Sequence, residues 1–134
     1  MNDRCAAGTG KFLEITVKTL GFEINDFGEQ ALKSRKEIHI NSMCTVFAES
    51  EVISLISKGE NRNDIALGLH KSVSMSAVSM LKRVGLNGMF VFAGGAARNK
   101  CMIDLIEKFL EQKIYIPDNP QLIGAYGASL LADE

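Results

Sequence analysis

The chain has 134 residues, of which 46% are hydrophobic and 23% charged, and its 15 basic and 16 acidic side chains leave a formal net charge of −1. This length suffices for one globular domain that buries roughly two-thirds of its unfolded surface without disulfides. Nucleic-acid binders usually carry an excess of clustered Lys and Arg, which is absent here. No apolar stretch approaches the roughly 18 to 20 residues of a membrane span. Composition therefore predicts neither a nucleic-acid partner nor a membrane partner.

Two features predict a cytoplasmic protein. Residues 2–4 are polar, and no apolar segment of the kind found in signal peptides follows them. The three cysteines, Cys5, Cys44 and Cys101, are odd in number and lack CxxC spacing. Such cysteine usage is typical of a reducing compartment and not of a disulfide framework.

The N-terminal part of the chain predicts two helices. Leu13, Val17 and Leu20 lie at helical spacing before Gly21, which indicates a first helix that directly follows a glycine-rich segment. A shorter helix is expected from about Asp26 to Lys33.

A short strand is predicted in residues 36–40, where polar and apolar side chains alternate. Two helices are expected after it, the first following Cys44 and ending at Gly59. The second is expected to begin at an N-cap, Asn63, and to end at Gly85. The apolar faces are predicted to contain Val52, Ile53, Leu55 and Ile56 in the first helix and Ile65, Leu69, Val73 and Leu81 in the second.

The last third of the chain alternates strands with helices, which indicates an α/β fold with a right-handed parallel crossover. Residues 89–95 form an apolar run that ends in two glycines, as expected of a strand buried on both faces. A helix from about Arg98 to Leu110 and a second strand in residues 114–117 follow. Asn119 and Pro120 are expected to begin the last helix.

The last helix predicts a close contact, and the number of strands predicts an incomplete sheet. Gly124 and Gly127 lie inside the last helix, where each costs about 1 kcal/mol relative to alanine, so a backbone or a ligand is expected to come close. Only two or three short strands accompany the helices, whereas an α/β domain normally has about five. Part of the sheet is therefore expected to lie outside this sequence.

Residues 94–99, between a predicted strand and helix, form a candidate nucleotide-binding loop. Gly94 and Gly95 allow a ligand to approach the backbone, and the helix start offers N–H groups to a phosphate. The alternative is a tight turn without a ligand. Arg98 opposes the helix dipole there, which favours a role such as stacking on a base or meeting an anion.

Cys5 and Cys44 each precede a predicted helix, where a thiolate is stabilised by the helix dipole and can serve as a nucleophile or a metal ligand. The alternative interpretation is that both cysteines are inert and buried, as free cysteines commonly are. Cys101 lies on the apolar face of its helix and is expected in the core. His39 and His70 lack partners at metal-ligand spacing and are expected to be structural or exposed. The six methionines are expected to fill gaps in the core.

Four segments carry a resemblance to a known family, and they cover essentially the whole chain. They are, in order, NDRCAAGTGKFLE, CTVFAESEVISLI, FAGGAARN and PQLIGAYGASLLA. They resemble the activator proteins of 2-hydroxyacyl-CoA dehydratases, in the ATPase family that also contains the ATP-binding subunits of benzoyl-CoA reductase. The resemblance implies an α/β domain that forms one lobe of an actin-like (ribonuclease H-like) ATPase, helix-rich with a small mixed sheet.

The resemblance implies a 4Fe-4S cluster as the first cofactor. Members of the family hold one cluster per homodimer with two cysteines from each subunit, and these ligands fall on Cys5 and Cys44. Two thiolates per chain can complete a four-cysteine cluster only if the protein pairs with a second copy.

ATP or ADP with Mg²⁺ is the second implied cofactor. The adenosine-side glycine pair of the wider superfamily falls on Gly94 and Gly95, and a base-stacking cation falls on Arg98. A further nucleotide contact is expected from the loop formed by Gly8, Thr9 and Gly10.

In such activators, ATP hydrolysis changes the angle between the helices that hold the cluster, and one electron passes at low potential to a dehydratase or reductase partner. The phosphate loops of the family's N-terminal lobe, including a DxGS motif, do not occur in this sequence. Residues 1–134 are therefore expected to be the C-terminal cluster- and adenosine-binding lobe, with the N-terminal lobe absent.

This lobe is expected to act as an ATPase only as part of a full-length protein, and alone to bind nucleotide weakly. One alternative is a lobe like those of sugar and acetate kinases, which has no use for paired cysteines. Another is a non-catalytic interaction domain that has lost both cluster and ATPase activity.

Overall fold

Helices dominate the computed structural model, which describes residues 9–41, 45–85 and 88–132. The helices are α1 (Thr9–Leu20), α2 (Phe27–Leu32), α3 (Thr45–Ser57), α4 (Arg62–Val84), α5 (Lys100–Leu110) and α6 (Ile123–Ala132). The strands are β1 (Phe90–Val91) and β2 (Ile114–Tyr115), and 3-10 turns at Gly95–Arg98 and Pro120–Leu122 precede α5 and α6. Among the described helices, none combines the length and apolarity needed to cross a bilayer.

The predicted helix ends are confirmed. Gly21, Gly59 and Gly85 follow α1, α3 and α4 with φ values of 71°, 81° and 117°, a region that glycine enters without a Cβ clash. The predicted start of α4 is wrong by two residues. Its N-cap is Asn61, whose side chain accepts a hydrogen bond from the backbone N–H of Asn63 at 2.8 Å.

Helix α4 lies at the centre of the core, in contact with α1, α2, α3 and α5. Its side chains Ile65, Leu69 and Val73 are buried at the predicted helical spacing, and they share one apolar cluster with Phe27 and Met102. Full burial of such a side chain contributes roughly 1.5–3 kcal/mol. The described fold is therefore built around the N-terminal half of α4.

Residues 36–40 do not form the predicted strand. Ile38 and Ile40 are buried between exposed neighbours, as in a strand, but the segment pairs with no strand among the described residues. Its backbone lies instead against α4, where a Cβ at Gly68 would stand only 2.5 Å from the Ile38 carbonyl oxygen. The alternating pattern thus arises from packing of an extended segment on a helix.

The sheet of the described residues consists of β1 and β2, which are parallel and connected through α5. Phe90 lies opposite Ile114, and Val91 lies opposite Tyr115. Phe90 and Ile114 pack against the core, whereas Val91 and Tyr115 are exposed. The small sheet is therefore parallel and not mixed, and β1 is buried on one face only, not on both as predicted.

Some side chains predicted in the core are exposed. Ile53 is 53% exposed although its neighbour Val52 is fully buried, because consecutive residues of a helix point about 100° apart. Met102 is buried as predicted, whereas Met75 and Met80 are exposed on α4.

Helix α6 has no buried side chain among the described residues. Tyr126, Leu130 and Leu131 are exposed, and no described atom lies within 4 Å of a Cβ built at Gly124 or Gly127. The described residues therefore do not provide the close approach predicted from these two glycines.

The fully buried polar side chains include His70, in the middle of α4. Its ring centroid lies 4.6 Å from that of Phe27, and its Nδ1 lies 2.7 Å from the Ala66 carbonyl oxygen. Burial lowers the pKa of His70 to about 4, because the protonated ring would lose its hydration. His70 is therefore neutral in the folded chain at neutral pH, and of its two predicted places, structural or exposed, the structure shows the first.

Gly68→Ala is expected to lower the free energy of unfolding by about 1–2 kcal/mol. The new Cβ would meet a backbone carbonyl, and overpacking costs of up to about 3 kcal/mol exceed the gain in helix propensity of about 1 kcal/mol. Gly127→Ala is the matched control, because the space around it is open and only the propensity gain applies. Urea unfolding measures both variants, and equal stability of the two would contradict the close packing of residues 36–40 on α4.

Stability is expected to fall as the pH falls from about 6.5 to 4, because the unfolded chain protonates His70 at its ordinary pKa of 6.5 while the folded chain does not. The loss reaches about 3 kcal/mol and stops below pH 4, where both states bind the proton. The measurement is urea unfolding between pH 7.5 and 4. His70→Gln is expected to lack this component of the pH dependence, and a wild-type-like profile in this variant would contradict the assignment.

Candidate nucleotide-binding cleft

A cleft of about 620 Å³ lies where the start of α1 faces the end of β1 and the 3-10 turn before α5. This volume falls within the roughly 300–1,000 Å³ of typical ligand sites. The five predicted nucleotide-binding residues that the structure describes all line it. They are Thr9, Gly10, Gly94, Gly95 and Arg98. Gly8, the sixth predicted residue, lies outside the described residues.

The turn at Gly94 is shaped by backbone contacts. Gly94 has φ 91° and ψ 177°, a conformation that side-chain-bearing residues rarely adopt. Its N–H donates to the Pro120 carbonyl at 2.7 Å, and its carbonyl accepts from the Ala97 N–H at 3.2 Å. The turn is therefore fixed to the segment that precedes α6, and its backbone is open to the cleft.

Asn99 joins this turn to α5. Its side chain accepts a hydrogen bond from the Met102 N–H at 3.1 Å and so caps the helix, while its own N–H donates to Ala96. The cleft thus lies at the start of a helix, as predicted, and Asn99 caps that helix.

The charged side chains that line the cleft, among the described residues, are Lys11, Glu14 and Arg98. Lys11 is paired with Glu14 at 3.1 Å, whereas Arg98 is exposed and has no carboxylate partner among the described residues. Its Nη1 donates to the Gln121 side-chain oxygen at 3.3 Å. Arg98 is therefore available to an anion or to the face of a base.

The remaining lining combines apolar and amide groups. Leu13, Ile24 and Phe92 provide an apolar surface, and Asn25, Asn99 and Gln121 provide hydrogen-bonding amides. Together with the arginine, this set suits a ligand that has a flat ring, a polar linker and a negative charge, as a nucleoside phosphate has.

Gln121 belongs to the PQLIGAYGASLLA segment, but its residue type and its position before the last helix do not indicate that it lines the cleft. It comes from the turn before α6, which the hydrogen bond between the Gly94 and Pro120 backbones holds beside the turn that carries Arg98. Asn99 has a detectable signal, because it belongs to the FAGGAARN segment.

Cys5 and Cys44, the predicted cluster ligands, lie outside the described residues. The helices that follow them are described and pack on each other, with the Thr19 hydroxyl 3.3 Å from a carboxylate oxygen of Glu49. Within the described ranges, no three or more His, Cys, Asp or Glu residues are grouped to hold a metal ion.

Cys101 lies in the core, which confirms its predicted place. Burial raises the pKa of its thiol to about 12, so the thiol stays protonated near neutral pH.

Comparisons of the sequence with a family profile and with individual proteins point to the same family. The sequence profile of the BadF/BadG/BcrA/BcrD ATPase family matches residues 1–132. A 2-hydroxyisocaproyl-CoA dehydratase activator from Clostridioides difficile is 43% identical over 132 residues, which are 98% of this chain and 50% of the relative. An (R)-2-hydroxyglutaryl-CoA dehydratase activating ATPase from Acidaminococcus fermentans is also 43% identical over 132 residues, which are 98% of this chain and 51% of the relative.

A solved structure agrees with these matches. The activator of the 2-hydroxyisocaproyl-CoA dehydratase from Clostridium difficile, with bound ADPNP, gives a TM-score of 0.89 at 43% identity and covers 98% of this chain and 49% of that one. This similarity confirms the predicted fold class. The chain spans about half the length of the relatives that it matches. It belongs to the BadF/BadG/BcrA/BcrD ATPase family.

Proposed function

We propose that this chain is the nucleotide- and cluster-binding lobe of an activator ATPase. In the full-length protein, ATP hydrolysis drives the transfer of one electron from a dimer-bridging 4Fe-4S cluster to a 2-hydroxyacyl-CoA dehydratase or a benzoyl-CoA reductase-type partner. The observation that carries the proposal is the cleft shared by Thr9, Gly10 and the Gly94–Arg98 turn. Membership of the family supports it.

ADP or ATP is proposed to bind with its base against Arg98 and the apolar wall. The open backbone at Gly94 and Gly95 lets the nucleoside approach closely, and the amides of Asn25 and Gln121 are placed to bind its polar groups. One relative is known with bound ADPNP, a nucleotide, which agrees with this ligand class. Mg²⁺ and the remaining phosphate contacts are assigned to a lobe that corresponds to the half of the relatives' length that this chain does not match.

Cys5 and Cys44 are proposed to hold the cluster. Their thiolates precede α1 and α3, and two ligands per chain require a second copy to complete four. The chemistry that a bound cluster supplies is one-electron transfer. The cysteines must stay reduced until they bind it, which suits the cytoplasm.

The proposed nucleotide site and the proposed cluster site are close to each other in the sequence. Cys5 is only four residues before Thr9, which lines the cleft, so both proposed sites share the segment that leads into α1. Helix α1 also packs on α3. A shift of the start of α1 on nucleotide binding would therefore move the segments that precede α1 and α3, which carry the two cysteines. Nucleotide closure can thereby change the position of the cluster ligands.

Arg98→Ala is expected to weaken ADP binding about 5- to 30-fold, because the loss of a cation beside a base or phosphate costs about 1–2 kcal/mol. Titration calorimetry with ADP measures the affinity, which is expected to be weak in the wild-type chain. Arg83→Ala is the control, since Arg83 is exposed on α4 and does not line the cleft. Identical affinities for the two variants would refute binding in this cleft.

Cys5→Ser and Cys44→Ser are each expected to abolish cluster retention after anaerobic reconstitution, because each removes two of the four ligands of a dimer. Iron content and the broad visible absorbance of iron-sulfur charge transfer are the measurements. Cys101→Ala is the control and is expected to keep the cluster, since this buried thiol lies in the core. Loss of the cluster in the control alone, or a cluster-bearing protein that sediments as a monomer, would contradict the assignment.

A further inference from the structure

His70 and Asn99 form a hydrogen-bonded pair beside the cleft. They are 29 residues apart, His70 in the middle of α4 and Asn99 at the N-cap of α5, and His70 Nε2 lies 2.9 Å from Asn99 Nδ2. Asn99 lines the cleft, whereas His70 is fully buried and does not. The hydrogen bond to Asn99 is therefore a direct link between His70 and the lining of the cleft.

The orientation of the Asn99 amide follows from its hydrogen bonds. Its oxygen accepts from the Met102 N–H at 3.1 Å, so its NH₂ group faces His70. Nε2 of His70 must then be the unprotonated nitrogen that accepts this bond. Nδ1 carries the proton and donates to the Ala66 carbonyl, which lies 2.7 Å away.

No other arrangement satisfies all of these groups. If the Asn99 amide were reversed, its NH₂ would face the Met102 N–H, and its oxygen would need a proton on Nε2. A neutral ring with that proton would present a bare Nδ1 to the Ala66 carbonyl, acceptor against acceptor. Because buried polar groups left unpaired are costly, the histidine selects one orientation of the asparagine.

Helix α2 holds the amide from another side. A Cβ built at Gly28 would stand 2.5 Å from Asn99 Oδ1 and 2.9 Å from its Cγ, so this buried glycine leaves the space that the amide occupies. The Phe27 ring beside Gly28 packs on His70, with 4.6 Å between centroids. The position of Asn99 is thus defined by α2, α4 and its own helix.

We infer that His70 is a positioning residue for the nucleotide cleft: it fixes the Asn99 amide, which caps α5 and sets the C-terminal end of the Gly94–Arg98 turn. This inference rests on the proposed nucleotide function. His70 touches no ligand, and its effect is to keep Asn99 and the turn in one binding-competent arrangement, which lowers the cost of ordering them on binding.

The test compares His70→Phe with His70→Gln. Phenylalanine keeps the ring contact with Phe27 and removes both nitrogens, so the hydrogen exchange of the Met102 amide is expected to speed up and the affinity for ADP to fall about fivefold. Glutamine offers an oxygen to the Asn99 NH₂ group and is expected to restore both values to within about twofold of wild type. The measurements are hydrogen exchange resolved at Met102 and titration calorimetry.

Ser74→Ala is the matched control, because Ser74 is fully buried one turn further along α4 and contacts the Met102 sulfur without touching Asn99. It is expected to lower stability while leaving ADP affinity unchanged. If His70→Phe behaved like this control, with normal Met102 exchange and ADP affinity, the inference would be overturned. Absence of ADP binding in the wild type would instead refute the proposed function, and Met102 exchange would still decide the role of His70.

A measurement on the wild-type chain keeps the inference testable if His70→Phe does not fold. The ¹⁵N spectrum of the imidazole is expected to show the proton on Nδ1 and none on Nε2. A proton on Nε2 would be incompatible with the capping orientation of Asn99 and would overturn the inference.

Discussion

The burial of one long helix, α4, is the constraint on which the rest of the described structure depends. Three of its polar side chains, Asp64, His70 and Ser74, are buried with it, and each has a hydrogen-bond partner. The carboxylate of Asp64 accepts hydrogen bonds from the Arg35 N–H at 2.8 Å and the Ser34 hydroxyl at 2.9 Å, which holds its pKa below the ordinary value and fixes the loop after α2. His70 likewise accepts a hydrogen bond from a distant segment, because its Nε2 lies 2.9 Å from the Asn99 side-chain nitrogen. Burying α4 therefore orders segments that have no regular structure of their own.

The cleft follows from this core together with the parallel pairing of β1 and β2. Because the two strands are parallel, the segments that leave them emerge at the same edge, where the Gly94 N–H meets the Pro120 carbonyl. The start of α1 completes the cleft on the opposite side. Ligand sites of open α/β sheets commonly lie at the carboxyl ends of the strands, and this cleft has that location even though the described sheet is only two strands wide.

The features that could be predicted from the sequence are those with local causes. Helical spacing of apolar residues and terminal glycines located the helices to within a few residues, and the glycine pair before Arg98 located the turn. The failure at residues 36–40 has a non-local cause. Their alternation is typical of a strand, but it arises because the segment packs across Gly68 of α4. A local sequence pattern indicates that one face of a segment is buried, but it does not indicate which element packs on that face.

The candidate site shows the same division at the level of single side chains. Backbone shape at Gly94 is encoded locally, because a positive φ needs glycine wherever the chain later folds. The orientation of the Asn99 side chain is not encoded locally. Its amide is oriented by contacts with His70 and Gly28, which belong to helices distant in the sequence. A motif such as GGAARN therefore specifies where a ligand can approach, whereas the helices packed beneath it specify which atoms the ligand meets. Variation beneath the turn can thus alter binding while the motif itself stays unchanged.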